Sequence, residues 1–101
     1  MSEIAITNLE DALLCLTTKE EMRAFLKDLL TPQEAKALNE RWQIAGRLEQ
    51  GKLSYREISA QTGASVTTIT RVARFLKDEP YQGYRIALDR LKEESGHHHH
   101  Q

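Results

Sequence analysis

Hydroxyl and guanidinium side chains are concentrated in the stretch YREISAQTGASVTTITRVAR, residues 55–74. Hydroxyls both donate and accept hydrogen bonds, and guanidiniums present several N–H donors that suit phosphates and base edges. In the second half of this stretch, the side chains with this chemistry are Ser65, Thr67, Thr68, Thr70, Arg71 and Arg74. Such a set favours contact with a nucleic acid, provided that one surface presents it.

Net charge is unevenly distributed along the 101-residue chain, whose total is only −1. Residues 1–40 carry eight acidic and four basic side chains, whereas residues 41–77 carry seven basic and two acidic ones. Residues 78–101 return to an acidic balance, with five acidic and three basic side chains. Charge alone favours a solvated helix face, but this basic segment coincides with the hydroxyl-rich stretch, and the coincidence favours a polyanionic partner.

The same stretch has the pattern of a helix-turn-helix, a motif in which a tight turn joins two steeply crossing helices. Gly63 stands where the turn needs a left-handed residue, and Ser59 is small where the helices approach each other. Thr62 departs from the pattern, since an apolar residue is commoner before that glycine. The buried contacts between the two helices are expected from Ile58, Val66, Ile69 and Val72.

Six short helices are predicted, because start signals recur before each segment of helical apolar periodicity. Their expected first residues are Thr7 (with Glu10 completing a capping box), Thr18, Thr31, Ser54, Ser65 and Tyr81. No segment alternates as a strand does, so the predicted fold class is all-α. One domain is expected over residues 1–95, with a sixth helix ending near Glu94 and a disordered tail over residues 96–101. Four histidines in this tail leave open whether it is native or part of a purification tag.

The composition excludes several other classes of protein. No apolar run approaches the ~20 residues of a membrane span, and no signal peptide is evident, so a cytoplasmic protein without membrane contact is expected. Cys15, the only cysteine, lies among leucines and is expected to be a small buried hydrophobe. Outside the tail there is no histidine, phosphate-binding loop or catalytic triad, so we expect no enzyme, no cofactor and no metal site.

The segment Leu30–Pro80 resembles the core of the Trp repressor superfamily. It carries LTPxE at the third helix, Gly51 before SxRE, and GAxxxTITR from Gly63 to Arg71. This spacing continues without gaps across three helices and about half the chain, which makes the resemblance more specific than a bare helix-turn-helix. Within the superfamily, the sequence is most similar to the YerC/YecD group of Trp-repressor-related proteins.

The resemblance implies an intertwined homodimer, in which the flanking helices of both subunits form a shared core. Trp42 of the third helix is expected in that dimer core rather than as a stacking platform for bases. Two-fold symmetry suits double-stranded DNA with a palindromic operator. The fourth helix is then expected to contact the DNA backbone, and the fifth, residues 65–77, to enter the major groove. The positions that match DNA-contacting residues of the family are Arg56, Val66, Thr67, Thr68 and Thr70. For Val66, a place in the core and a place on the DNA both stay open.

A small-molecule pocket is where this sequence departs from the family pattern. Thr31, Arg41 and Arg71 match positions that hold the ligand in the tryptophan repressor. Val72, however, replaces a glycine that admits the indole, and Phe75 replaces a serine that receives the amino group. Phenylalanine accepts no hydrogen bond from an ammonium group, whose unpaired burial costs several kcal/mol. Either these side chains fill the pocket, which is the favoured interpretation, or the pocket takes a different small molecule.

Together these patterns predict a sequence-specific DNA-binding transcriptional regulator, a repressor, that acts as a homodimer without tryptophan. If the pocket is filled, Arg41 and Arg71 are expected to serve phosphates or intersubunit ion pairs. Two alternatives stay open. One is a protein-interaction module that docks onto another regulator or a polymerase subunit, and the other is a repressor controlled by a different small-molecule effector.

Overall fold

The computed structural model describes the backbone of residues 6–99 and the side chains of residues 6–94. Within this range all regular structure is helical, which confirms the all-α prediction. The chain divides into two compact units, Met1–Lys36 and Ala37–Gln101, where one domain over residues 1–95 was expected. The six helices are α1 (Leu9–Leu14), α2 (Lys19–Leu29), α3 (Pro32–Gln50), α4 (Tyr55–Thr62), α5 (Val66–Lys77) and α6 (Gly83–His99).

The first helix begins one residue later than predicted, so Thr7 as its cap is wrong. Asn8 is the N-cap of α1 instead, and its side chain makes no capping hydrogen bond. The backbone carbonyl of Asn8 accepts the first helical N–H groups, which fixes the cap position regardless of the hydroxyl before it. Cys15, which was expected to be buried, is exposed because it lies at the C-cap of α1, where its thiol donates to the Ala12 carbonyl at 3.0 Å.

The predicted caps of the next four helices are confirmed. The Thr18 hydroxyl accepts a hydrogen bond from the Glu21 N–H. The Glu21 carboxylate accepts hydrogen bonds from the backbone and the hydroxyl of Thr17, which lower the pKa of Glu21. Capping boxes, in which an N-cap hydroxyl and a glutamate three residues on serve each other's backbone N–H groups, open α3 and α4. They join Thr31 to Glu34 and Ser54 to Glu57, and Ser65 caps α5.

One apolar cluster holds α3, α4, α5 and α6 together within the second unit. Its four most buried large side chains are Ile44 of α3, Ile58 of α4, and Ile69 and Val72 of α5. Burying each of these contributes about 1.5–3 kcal/mol relative to exposure. Ala45, Ala64, Leu76 and Leu88 complete the cluster. Because Ile69, Val72 and Leu76 are spaced three and four residues apart, they commit one face of α5 to the core and leave the opposite face to solvent.

The last helix begins at Gly83, whereas the sequence predicted that it would begin at Tyr81. Gln82 has a φ of 60°, in the left-handed region, so the helix cannot run through it. The side-chain amide of Gln82 donates to the Glu79 carbonyl at 2.7 Å and stabilises this turn. At its other end α6 continues through His99, so residues 96–99 are helical rather than disordered, and residues 100–101 lie outside the described part.

An ion-pair network, which sequence reasoning did not single out, joins the end of α3 to α6. Glu49, whose side chain is 17% exposed, accepts hydrogen bonds from Arg85 at 2.6 and 2.9 Å and also pairs with Lys92. Arg85 also contacts Asp89 at 3.1 Å. The hydrogen bonds from Arg85 and Lys92 lower the pKa of Glu49 to about 2, and those to Glu49 and Asp89 raise the pKa of Arg85.

Glu49→Gln is expected to lower the free energy of unfolding near neutral pH by about 1 kcal/mol, the scale of a well-formed surface ion-pair network. Because the pKa of Glu49 falls from 4.5 to about 2 on folding, its ion pairs stabilise the fold fully above pH ~4.5 and are lost toward pH ~2. The penalty of the substitution should therefore shrink over that window. Urea unfolding, followed by circular dichroism at one protein concentration and several pH values, measures it.

The matched control is Glu93→Gln, which neutralises an exposed carboxylate on α6, the helix that carries Arg85. This variant should follow the wild type at every pH. A penalty for Glu49→Gln that stays constant as the pH falls would contradict the assigned role of the ion pairs.

Candidate nucleic-acid interface

The turn between α4 and α5 depends on Gly63, which has a φ of +81° and caps the C-terminus of α4. Its N–H donates to the Ser59 carbonyl at 2.9 Å. A Cβ at this position would lie 3.7 Å from Glu40 Oε2, which is an ordinary contact distance. The left-handed backbone, rather than lack of space, is therefore what selects glycine here.

Side-chain hydrogen bonds fix the rest of this turn. The Ser59 hydroxyl donates to the Ala64 carbonyl at 2.6 Å, which explains a small polar residue at the approach of the two helices. The Thr62 hydroxyl donates to the Ile58 carbonyl at 2.8 Å and accepts from the Ala64 N–H at 3.2 Å. The unusual threonine before the glycine thus satisfies two backbone groups that an apolar side chain would leave without a side-chain partner.

The predicted hydroxyl residues lie at the N-cap and on the first two turns of α5. They differ in how many hydrogen bonds their hydroxyls already make within the chain. Ser65 accepts from the Thr68 N–H at 3.1 Å, and its hydroxyl lies 3.1 Å from the Thr68 hydroxyl. The Thr70 hydroxyl donates to the Val66 carbonyl at 2.9 Å. Thr67 is exposed and its hydroxyl makes no hydrogen bond within the described residues. Thr67 therefore keeps both its donor and its acceptor capacity for a partner.

Val66 belongs to this exposed surface, and its predicted place among the buried contacts is wrong. Its side chain is 52% exposed, whereas the other three predicted contact residues are buried as expected. Val66 is the first residue of α5, at the edge of the core, where Ala64 of the turn takes the buried position instead. The two methyl groups of Val66 are thus available for an apolar contact outside the chain.

The arginines near this surface have different partners. Arg56 is exposed in the first turn of α4, with no ion pair within the part of the chain described. The Arg71 guanidinium carbon lies 4.5 Å from the centre of the Phe75 ring, and that of Arg74 lies 5.3 Å from it. Arg74 also pairs with Glu79, at 3.4 Å between Nε and Oε1. Both arginines of α5 are therefore partly ordered by a ring, and one of them by a carboxylate as well.

Arg47, which counted toward the basic segment, has a structural role that the sequence did not signal. It donates to Gln61 at 2.8 Å and to both oxygens of Gln43, at 2.8 and 3.2 Å. The guanidinium therefore links α3 to α4 on the wall of a polar groove of about 360 Å³. A donor set that is already engaged in this way is poorly placed to give its hydrogen bonds to a phosphate.

The residues at the predicted ligand positions lie on different elements of the chain. Arg71, Val72 and Phe75 are neighbours on α5, and Val72 is 1% exposed within the core. Arg41 is half-buried on α3, and Thr31 lies in the first unit, where its hydroxyl caps α3. Beside Phe75 is an apolar groove of about 430 Å³, lined by Trp42, Phe75, Tyr81, Gln82, Gly83, Tyr84 and Ala87. The rings of Trp42 and Tyr84 stack in its wall, with centroids 6.5 Å apart.

The described residues offer neither a membrane-spanning helix nor a cluster of metal-binding side chains. None of their helices combines the length and apolarity that crossing a bilayer requires. Nor do any three of their histidine, cysteine, aspartate and glutamate side chains cluster in a way that would hold a metal ion.

Comparison with known proteins gives consistent matches over most of the chain. The model of the Trp repressor protein family matches residues 5–92. The uncharacterized protein YerC of Bacillus subtilis strain 168 is 39% identical over 88 residues, which cover 87% of this chain and 83% of that protein. A Trp operon repressor homolog of Vibrio cholerae is 42% identical over 59 residues, 58% of this chain and 57% of that protein.

The crystal structure of a TrpR like protein from Eubacterium eligens superposes with a TM-score of 0.77 at 34% identity, covering 83% of this chain and 84% of that one. These matches confirm the predicted resemblance in sequence and in fold. The chain belongs to the Trp repressor family, a family of DNA-binding regulatory proteins rather than enzymes.

Proposed function

We propose that this protein is a homodimeric, sequence-specific DNA-binding repressor whose helix α5 enters the major groove. The observation that carries the proposal is the exposed face of α5, where hydroxyls, methyl groups and arginines stand opposite the buried stripe of Ile69, Val72 and Leu76. A recognition helix must be held rigidly on one side and present hydrogen-bonding groups on the other. Taken alone, such a surface could also bind another protein. Membership of the Trp repressor family is what supports DNA as its partner.

Helix α4 supplies the contact that would position the protein on the DNA backbone. Arg56 is exposed in the first turn of this helix, where the aligned peptide dipoles already favour an anion. A phosphate contact of this kind adds affinity for every DNA sequence and fixes the register of the recognition helix. We therefore assign Arg56 and Arg71 to phosphates, because neither has a carboxylate partner within the described residues.

Within α5, the hydrogen-bond inventory separates the residues that would read bases from those that would support them. The Thr67 hydroxyl is uncommitted, and Thr68 shares a hydrogen bond with the Ser65 hydroxyl in which either atom can be the donor. Thr70 gives its proton to the Val66 carbonyl, so it reaches DNA as an acceptor only. We propose that Thr67 and Thr68 contribute most to base readout, with the Val66 methyls against a thymine methyl.

The proposed dimer is supported by apolar surface that the chain itself leaves uncovered. No residue of α1 or α2 is buried, although both helices carry leucines at helical spacing. Large apolar side chains also remain exposed on later helices, among them Leu38 and Leu91. A shared core between two copies would cover such surface, and the two-fold axis would set two recognition helices about one DNA turn apart.

Independence from tryptophan is supported by the surroundings of α5. Val72 is 1% exposed and contributes to the core cluster, so its side chain cannot move aside for an indole without opening that cluster. Phe75 packs under two guanidiniums and offers no acceptor to an ammonium group. We therefore propose that the reading head needs no tryptophan to form.

The experiment that tests the proposed function is a selection of fragmented genomic DNA by the purified protein, sequenced at low and raised salt. One palindromic motif should be enriched, because a two-fold dimer presents two identical reading heads. Retention should fall steeply with salt, by a log–log slope of about 0.9 for each phosphate that is neutralised. Failure to retain DNA at low salt would contradict the proposal and favour a protein-interaction module.

Removal of the Thr67 and Thr68 hydroxyls should weaken the preference for particular bases more than the total affinity for DNA. In the double variant Thr67→Ala, Thr68→Ala, we expect the preference at one symmetric pair of base positions to flatten, by about 1 kcal/mol per half-site. Arg56→Ala is the matched contrast. It should weaken binding to all sequences alike and reduce the salt slope, with the motif unchanged. The assignment to base readout is wrong if the threonine variant selects the wild-type motif at undiminished strength.

Tryptophan is expected to give no heat in isothermal titration calorimetry and no shift in the thermal unfolding midpoint. The reason is that Val72 occupies core volume and Phe75 offers no hydrogen-bond acceptor. DNA binding measured with and without the amino acid should likewise be the same. A saturable isotherm with tryptophan would rule out the filled pocket.

A further inference from the structure

The C-terminal end of α5 holds a carboxylate of the protein itself against one of the arginines predicted to meet DNA. Glu79 Oε1 lies 3.4 Å from Nε of Arg74, whose guanidinium carbon lies 5.3 Å from the centre of the Phe75 ring. Arg74 keeps 56% of its side chain exposed, and Glu79 34%. The pair is therefore at the surface, where a phosphate of bound DNA would have to exchange with the carboxylate to reach this guanidinium.

The backbone keeps Glu79 at this position. The carbonyl of Arg74 accepts hydrogen bonds from the N–H groups of Asp78, at 2.8 Å, and Glu79, at 3.3 Å. The Glu79 carbonyl in turn accepts from the side-chain amide of Gln82 at 2.7 Å. Because the backbone is tied on both sides of Glu79, its carboxylate stays within reach of Arg74, and the side chains alone lose freedom when the pair forms.

Arg71 and Arg74 are differently placed toward an anion, although the sequence presents them as equivalent. Both guanidiniums lie over Phe75, so two like charges approach the same ring. Only Arg74 has a carboxylate partner within the described residues, and this partner offsets part of the repulsion between the two arginines. A DNA phosphate would offset it in the same way, since carboxylate and phosphate oxygens compete for the same N–H donors.

We infer that Glu79 is an internal competitor of DNA, occupying on Arg74 the position that a backbone phosphate would otherwise take. This inference rests on the proposed function. Exposed ion pairs are weak enough to exchange, so Glu79 lowers DNA affinity without abolishing it. On binding, the carboxylate must yield Arg74 to a phosphate, and the free energy lost with the Arg74–Glu79 pair lowers the affinity for DNA.

Glu79→Gln tests the inference, with binding measured by fluorescence anisotropy on two labelled duplexes. One duplex carries the motif from the genomic selection, and the other an unrelated sequence. The variant should bind both duplexes about 2- to 5-fold more tightly at low salt, the range that the strength of exposed ion pairs implies. The gain should shrink as salt is raised, because screening weakens the pair that the variant removes.

A double-mutant cycle separates competition for Arg74 from the general effect of removing a negative charge. In an Arg74→Gln background, Glu79→Gln should give no more gain than Asp78→Asn gives in the wild type. Asp78→Asn is the matched control, since it neutralises the neighbouring acid, which has no ion pair within the part of the chain described. Circular dichroism and thermal unfolding should establish that all of these variants keep the wild-type fold.

The outcomes distinguish failure of the inference from failure of the proposed function. If the wild type binds DNA but Glu79→Gln binds no more tightly, or gains as much without Arg74 as with it, the inference is overturned and the proposed function stands. A gain from Asp78→Asn equal to that from Glu79→Gln overturns it in the same way. If neither the wild type nor any variant binds either duplex at low salt, the proposed function fails, and the inference fails with it.

Discussion

The packing of α5 against α4 and α3 is the constraint on which the rest of the structure depends. Ile58 of α4 and Ile44 of α3 meet Ile69 and Val72 of α5 in one fully buried cluster, and Gly63 gives the backbone the left-handed turn that this packing requires. A helix buried along one stripe presents a fixed opposite face. Every group that we propose to meet DNA through α5 is on that face or at the end of that helix.

The same packing connects two of our proposals, base readout by α5 and independence from tryptophan, because both depend on this helix. Val72 and Phe75, at which the sequence departs from the pattern of the tryptophan repressor, both lie on α5. In this protein Val72 fills core volume and Phe75 is covered by guanidiniums, which supports the proposal that α5 packs without a ligand. An apolar groove of about 430 Å³ lies beside Phe75.

Electrostatics in this protein depends on how each basic residue is engaged rather than on the number of basic residues. Residues 41–77 carry a clear excess of positive charge. Arg47 donates hydrogen bonds to glutamines of α3 and α4, and Arg74 pairs with Glu79. Arg85, outside this segment, pairs with Glu49. Arg56 and Arg71 have no carboxylate partner within the described residues, which is why we propose them for phosphates. A net charge summed along the chain treats these five arginines alike, and their environments separate them.

The sequence by itself determined the helical fold, the caps of α2 to α5 and the turn, because those features depend on neighbouring residues. Thr31 with Glu34, Ser54 with Glu57, and Gly63 act over three or four positions, so their patterns were sufficient. Only the tertiary structure decided which side chains are buried and which are paired. Val66 came out exposed at the edge of the core, and Glu49 of α3 acquired basic partners on α6, since these outcomes depend on where separate segments meet in space. Periodicity describes one helix at a time, whereas burial and ion pairing depend on packing between elements.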